Sequence, residues 1–247
     1  LSKLPNLSRQ GMNLETLVNA GADFVFGGWS YGFRPGGVTP DLLAQHGIAS
    51  YVLTESCIRV KPRDDVFIED AFADMRALGH IFRVEAQAEQ RLSQLQAELT
   101  QLREQLTPVA GSAQRPRLFV FDSGEKLPTT SGRYGMPRAI AHEAGAVNIF
   151  DDIPSNWPKG NWEDVVLRDP EWIVIVDYGQ PNAAGKIAFL NSKPELANVS
   201  AIRHQRFFVM TYAEATPGPR NVQTAQRLAA ALHPELGIRV SALNWGQ

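Results

Sequence analysis

The sequence predicts an α/β protein with parallel strands, set out as two halves on either side of a long helical tract. Three observations carry this. Short apolar strands alternate with amphipathic helices in both halves, the helix ends show capping residues and glycine stops, and a stretch of regularly spaced leucines separates the halves.

In "NLETLVNAGADFVFGG", Asn13 is placed to cap a short helix that carries Leu14, Leu17 and Val18 on one face, and Gly21 ends that helix before an apolar strand. "TPDLLAQHGIASYVL" repeats the pattern. Thr39 is its N-cap, Pro40 sits at the first helical position where a missing N–H costs nothing, Gly47 follows the last turn, and Ile48 to Leu53 form the next strand. A helical tract then runs from about Asp65 to Leu106, dented near Gly79. Its second part holds Leu92, Leu95, Leu99, Leu102 and Leu106 at spacings of three and four, which suits a connecting helix, a packed surface helix or a self-associating coil. "TPVAGSAQRP" breaks it. The second half reads as strand "RLFVF", helix "MPRAIAHEAG", strand "EWIVIV", helix "GKIAFLNS", strand "RFFVM" and helix "RNVQTAQRLAAALHP". The expected divisions are 1–64, 65–107 and 108–247.

Composition narrows the function. With 24 Lys and Arg against 26 Asp and Glu the net charge is −2, so nucleic acid is not an expected partner. The single cysteine, Cys57, excludes an internal disulfide and offers no zinc spacing. No apolar run approaches the roughly 18 residues of a membrane span. Hydrolase elbows, phosphate loops, dinucleotide fingerprints and zinc-protease motifs are missing, and His46, His80, His142, His204 and His233 are dispersed. No catalytic residue, resident cofactor or metal site is expected.

Ligands of open parallel sheets bind beyond the carboxyl ends of the strands, which selects the segments that follow them. Those segments are rich in aromatics: Trp29, Tyr31, Phe33, Tyr134, Trp157, Tyr178 and Tyr212. Such rings suit a large ligand that is part flat surface and part polar rim, although any one of them could equally staple its own loop. Arg34, Arg133 and Arg220 lie in the same segments, with Arg9 ahead of the first helix, and guanidinium groups favour anionic ligands. "NWPKGNWEDVV" is unusual in placing two tryptophans beside an acid pair.

"GMNLETLVNAGADFVFGGW", "SGRYGMPRAIAHEAGAVNIF", "NWPKGNWEDVVLRDPEWIVIV" and "TYAEATPGPR" together resemble the solute-binding proteins of bacterial ABC importers for iron–siderophore complexes, haem and vitamin B12. The resemblance covers nearly the whole chain. It implies two lobes joined by a single long helix, a shallow cleft for a bulky chelate, no enzymatic activity, and a monomer in the periplasm or on the outer face of the cytoplasmic membrane. Its partner would be an ABC permease. The favoured cargo is an iron–siderophore complex, followed by haem, a corrinoid or another bulky anion; a sensing or structural module is the rival of another class. The family's permease-docking acids fall on Glu15, which closes "GMNLE", and on Glu163, six residues after the "WP" tryptophan Trp157. Trp157 would then face the cleft and Trp162 pack against its own lobe. Where the vitamin-B12-binding pattern has a tryptophan six residues before the first acid, this chain has Arg9, which leans toward an anionic chelate. The pattern also carries a strand, a helix and a strand ahead of "GMNLE", so the first lobe is expected to be incomplete at its N-terminus.

Overall fold

The computed structural model describes residues 5–8, 11–29, 32–59, 63–111 and 115–242. The chain divides into two compact units, Leu1–Asp64 and Asp65–Gln247.

The first unit contains α1 (Leu14–Asn19), β1 (Phe24–Trp29), β2 (Gly32–Phe33), α2 (Pro40–Gln45) and β3 (Ala49–Val52). Its sheet has the order β2-β1-β3 with parallel pairing, Phe24 to Gly27 of β1 facing Ala49 to Val52 of β3. The caps fall where the sequence put them: Asn13 Oδ1 accepts from the Thr16 N–H, and Thr39 Oγ1 from the Leu42 N–H, each at 3.2 Å. Val25, Phe33, Val38, Leu43 and Ile48 form a small core. Phe33 is fully buried there, in a two-residue strand, so it is a core residue and not an exposed loop aromatic.

The second unit opens with α3 (Ile68–Ile81), α4 (Glu85–Gln105) and α5 (Thr107–Ala110), and continues through β4 (Arg117–Phe121), α6 (Met136–Glu143), β5 (Val147–Asn148), α7 (Trp162–Arg168), β6 (Trp172–Asp177) and α8 (Ala183–Ser192). It ends with α9 (Ser200–Arg203), β7 (Phe207–Thr211), α10 (Tyr212–Ala215) and α11 (Asn221–Leu232). The sheet order is β5-β4-β6-β7, parallel throughout.

Because side chains alternate along a strand, both faces of this sheet are apolar and both are covered. Leu118, Val120, Val174 and Val176 face one core, shared with α6, α11 and the leucines of α4. Phe119, Phe121, Ile173 and Ile175 face the other, shared with α7, α8 and α9.

The helical tract is not the single long helix expected. The chain reverses at Phe82–Val84, where Arg83 takes a left-handed φ of 56° and the Val84 N–H closes on the Gly79 carbonyl at 2.8 Å. α3 and α4 therefore run antiparallel, joined across by Arg76 and Glu89 at 2.6 Å. Gly79, read in the sequence as a dent, is the point of closest approach: a Cβ there would lie 2.6 Å from Ala88 Cβ. Leu92, Leu95, Leu99 and Leu102 are all buried, so the pair belongs to the core of the second unit. Arg103 ties it to α6 and back to α3, donating to Glu143 at 2.8 and 2.7 Å and to Glu69 at 2.7 Å.

Two predictions follow from this packing. Leu99→Ala should destabilise the protein by about 2–5 kcal/mol in denaturant titration, the cost of a buried cavity, whereas Leu167→Ala on α7, 81% exposed, should stay within about 0.5 kcal/mol. Burial alone would raise the Glu143 carboxyl above its ordinary 4.5, but the hydrogen bonds from Arg103, with the nearby His142 adding to them, outweigh it and hold it at about 2. A folded value below the unfolded one gives stability that is complete above about pH 4.5 and is lost as pH falls toward about 2. Glu143→Gln should flatten that acid limb of the stability profile; an unaltered limb would mean that the pair is not coupled to folding.

Candidate functional site

All four strands of the second unit end at the same edge of the sheet, and four connections leave from it. The segments after β4 and β5 are zipped together by their backbones. Gly160 N–H donates to the Pro128 carbonyl at 2.8 Å, Thr130 to Pro158 at 3.0 Å, Gly132 to Asn156 at 3.0 Å, Arg133 to Ile153 at 2.9 Å and Tyr134 to Ser155 at 3.1 Å. Only glycine fits at one of these positions and at another just beyond them. A Cβ on Gly132 would lie 2.4 Å from the Ser155 carbonyl oxygen, and one on Gly135 would lie 2.2 Å from Ser131 Oγ.

The zipper fixes three of the residues singled out in the sequence. The Arg133 guanidinium is half-buried and donates through Nε to the Asp151 carbonyl at 3.0 Å, so part of its donor set is spent on the fold. Tyr134 and Trp157 each pack partly against the core beneath and stay partly accessible. Trp162 behaves as expected for a packing residue: its indole is buried, Nε1 donates to the Glu125 carbonyl at 3.0 Å, and the ring meets Phe119 edge-on at 6.2 Å.

A second cluster forms where β4, β6 and β7 end. The Tyr178 hydroxyl donates to Asp122 Oδ2 at 2.8 Å, and Ser123 Oγ donates to the same oxygen at 2.8 Å. The rings of Tyr178 and Tyr212 lie 5.3 Å apart and are tilted by 55°. Lys186, on the first turns of α8, donates to the Val176 carbonyl at 2.6 Å and places its ammonium 4.3 Å from the Tyr178 ring centroid. Lys186 is only 3% exposed while Tyr178 is 41% exposed, so the cation occupies the inner side of the ring and the outer side faces solvent.

Burial, with Asp122 adding to it, pushes the Tyr178 phenol up to about 12. Tyr212 is held by the capping of α10: the Thr211 N–H and Oγ1 bond Glu214 Oε2 at 2.7 and 3.0 Å, and Arg227 pairs with the same carboxylate. Buried Asn221 closes the rest of that loop, donating to the Glu214 and Thr216 carbonyls and accepting from the Gly218 N–H. Arg220 precedes it at the N-terminus of α11, half-buried.

Asp122, Ser123 and Lys186 were not singled out in the sequence. "DSG" directly after a buried strand was the available signal for the first two; a lysine inside "GKIAFLNS" reads as a solvated helix position.

In the first unit, Arg34 is exposed beyond β2, its side chain folded along Gly37. Trp29 ends β1, paired in register with Phe33, and is thus a strand residue by its backbone. Arg9 and Tyr31 lie outside the described residues. Glu15 stands in the first turn of α1 and Glu163 in the first turn of α7; both are exposed, and neither forms an ion pair among the described residues. Among the described residues no group of three or more His, Cys, Asp or Glu side chains is arranged to hold a metal ion, and no helix is long and apolar enough to cross a membrane.

Aromatic and polar loops thus line this edge beyond the parallel strands, and residues 5–213 match the periplasmic binding protein family. The chain belongs to that family. Among its relatives is the vitamin B12-binding protein of Pectobacterium carotovorum subsp. carotovorum (strain PC1), 28% identical over 91% of this chain and 72% of that one. A periplasmic binding protein from Veillonella parvula DSM 2008 has a similar structure, with a TM-score of 0.79 and 26% identity, covering 94% of this chain and 77% of the other. The ABC-type Fe3+-hydroxamate transport protein of Saccharomonospora viridis DSM 43017 shares the fold at a TM-score of 0.73 and 20% identity, over 88% and 71% of the two chains.

Asp122→Asn should lower the ionisation midpoint of Tyr178 from about 12, because it removes the negative acceptor that disfavours the phenolate. Phenolate absorbance followed through alkaline pH, with Tyr178→Phe identifying the signal, checks this; a midpoint that does not move would mean that burial alone sets it.

Proposed function

We propose that this periplasmic binding protein captures a bulky iron–siderophore-type chelate outside the cytoplasmic membrane and delivers it, as a monomer, to an ABC permease. Family membership across residues 5–213 carries the reading. The Tyr178–Tyr212 pair supports it as a fixed aromatic surface at the carboxyl edge of the sheet, with Trp157, Tyr134 and Arg220 on neighbouring loops as further contacts. A corrinoid is the second reading, favoured by the vitamin B12-binding relative.

Glu15 and Glu163 are proposed to dock the permease. A carboxylate that is exposed and has no ion-pair partner among the described residues remains available to a partner's arginine, and removing it costs little in folding. The double variant Glu15→Ala with Glu163→Ala should bind a ferric siderophore and melt as the wild type does, while uptake into vesicles holding the permease falls to background. Normal uptake by the double variant would overturn the docking role, and failure of the wild type to bind any ferric siderophore, haem or corrinoid would overturn the cargo class.

A further inference from the structure

Beside Tyr178, between the turn after β6 and the start of the loop after β4, lies a cavity of about 320 Å³. Phe121, Phe189 and Pro181 wall it with apolar surface, and Ser123, Glu125, Tyr178, Gln180 and Lys186 bring polar groups to its lining. The two phenylalanine rings are nearly parallel, at 19° and 6.1 Å between centroids. A cavity of roughly 150 Å³ already admits benzene, so this one holds a ring together with its substituents.

Lys186 is the unusual member. An ammonium buried to this degree ordinarily sits against a carboxylate, yet no acid lies within ion-pair distance of it among the described residues. Asp122 is engaged through Oδ2 by the hydroxyls of Tyr178 and Ser123, and Asp177 accepts the Ala183 N–H at 2.7 Å. Of the three N–H groups of Lys186 one is taken by the Val176 carbonyl, and the inner face of Tyr178 receives the ammonium. Burial accordingly lowers the lysine's pKa, against the opposing fields of Asp122 and Asp177. A ligand oxygen carrying negative charge would complete its partners, and the surrounding rings would pack against the body of such a ligand.

We propose that this cavity is a ligand subsite for an oxygen-substituted aromatic ring, with the ring packed against Phe121, Phe189 and Tyr178 and its oxygen bonded by Lys186. It rests on the small-molecule role proposed above and narrows the cargo. Chelates built on phenolate or catecholate rings fit it; chelates whose donors are aliphatic hydroxamates leave it unfilled.

The test is calorimetric titration of the full chain with 2,3-dihydroxybenzoate and, as a carboxylate of similar size without an aromatic ring, cyclohexanecarboxylate. The wild type should bind the first saturably and the second at least about tenfold more weakly, and Lys186→Met should weaken dihydroxybenzoate binding by at least about tenfold. Phe189→Leu and Ser123→Ala repeat the measurement if Lys186→Met does not fold. Equal binding of the two probes, no binding of dihydroxybenzoate, or wild-type affinity in these variants would overturn the subsite. A protein that binds ferrioxamine B but not dihydroxybenzoate loses the subsite and keeps the transport role. Lys186-dependent binding of dihydroxybenzoate without binding of any iron chelate keeps the subsite and removes that role.

Discussion

The shared direction of β4, β5, β6 and β7 is the constraint on which the second unit depends. Parallel strands buried on both faces are joined through helices that cover those faces, so every connection at this edge leaves from a strand's carboxyl end. Asp122 after β4, Tyr178 after β6 and Tyr212 after β7 are therefore neighbours although they are far apart in sequence. The backbone zipper between the loops after β4 and β5 then makes that edge stiff, and stiffness is what a preformed binding surface requires.

Charge is distributed between two uses. Arg138 bridges Asp65 at 2.7 Å and Asp151 at 2.6 Å, Arg168 holds Asp152 at 2.6 Å, and Arg103 holds Glu143 and Glu69, so these cations serve the fold. Arg133 joins them through the Asp151 carbonyl. An anionic ligand would thus find fewer available guanidinium groups than the sequence advertises, and the buried ammonium of Lys186 is the cation the sequence does not advertise.

Features governed by local chemistry could be read from the sequence alone. Asn13, Thr39 and Pro40 begin helices because their side chains or fixed φ answer the exposed N–H groups of a first turn, and Trp162 packs because it follows a cap into a helix facing the sheet. Features set by distant contacts could not. The reversal at Arg83 uses a left-handed residue that is neither glycine nor asparagine, so nothing local marks a turn there and the tract from Asp65 to Leu106 reads as one helix. β2 and β5 are two residues long, too short for alternation to register, which is why Phe33 read as a loop aromatic. Lys186 looks solvated until the Tyr178 ring is placed over it.

The α3–α4 pair also changes how this chain can be dissected. Its leucines complete the core that Leu118, Val120, Val174 and Val176 share with α6 and α11. A fragment beginning near residue 108, where a connecting helix would have ended, leaves that core to α6 and α11 alone and exposes the apolar sides they turn toward α3 and α4, a surface of the kind that drives aggregation. The shortest portion of the second unit that keeps its own solvent boundary begins at Asp65, with the carboxylate that Arg138 holds.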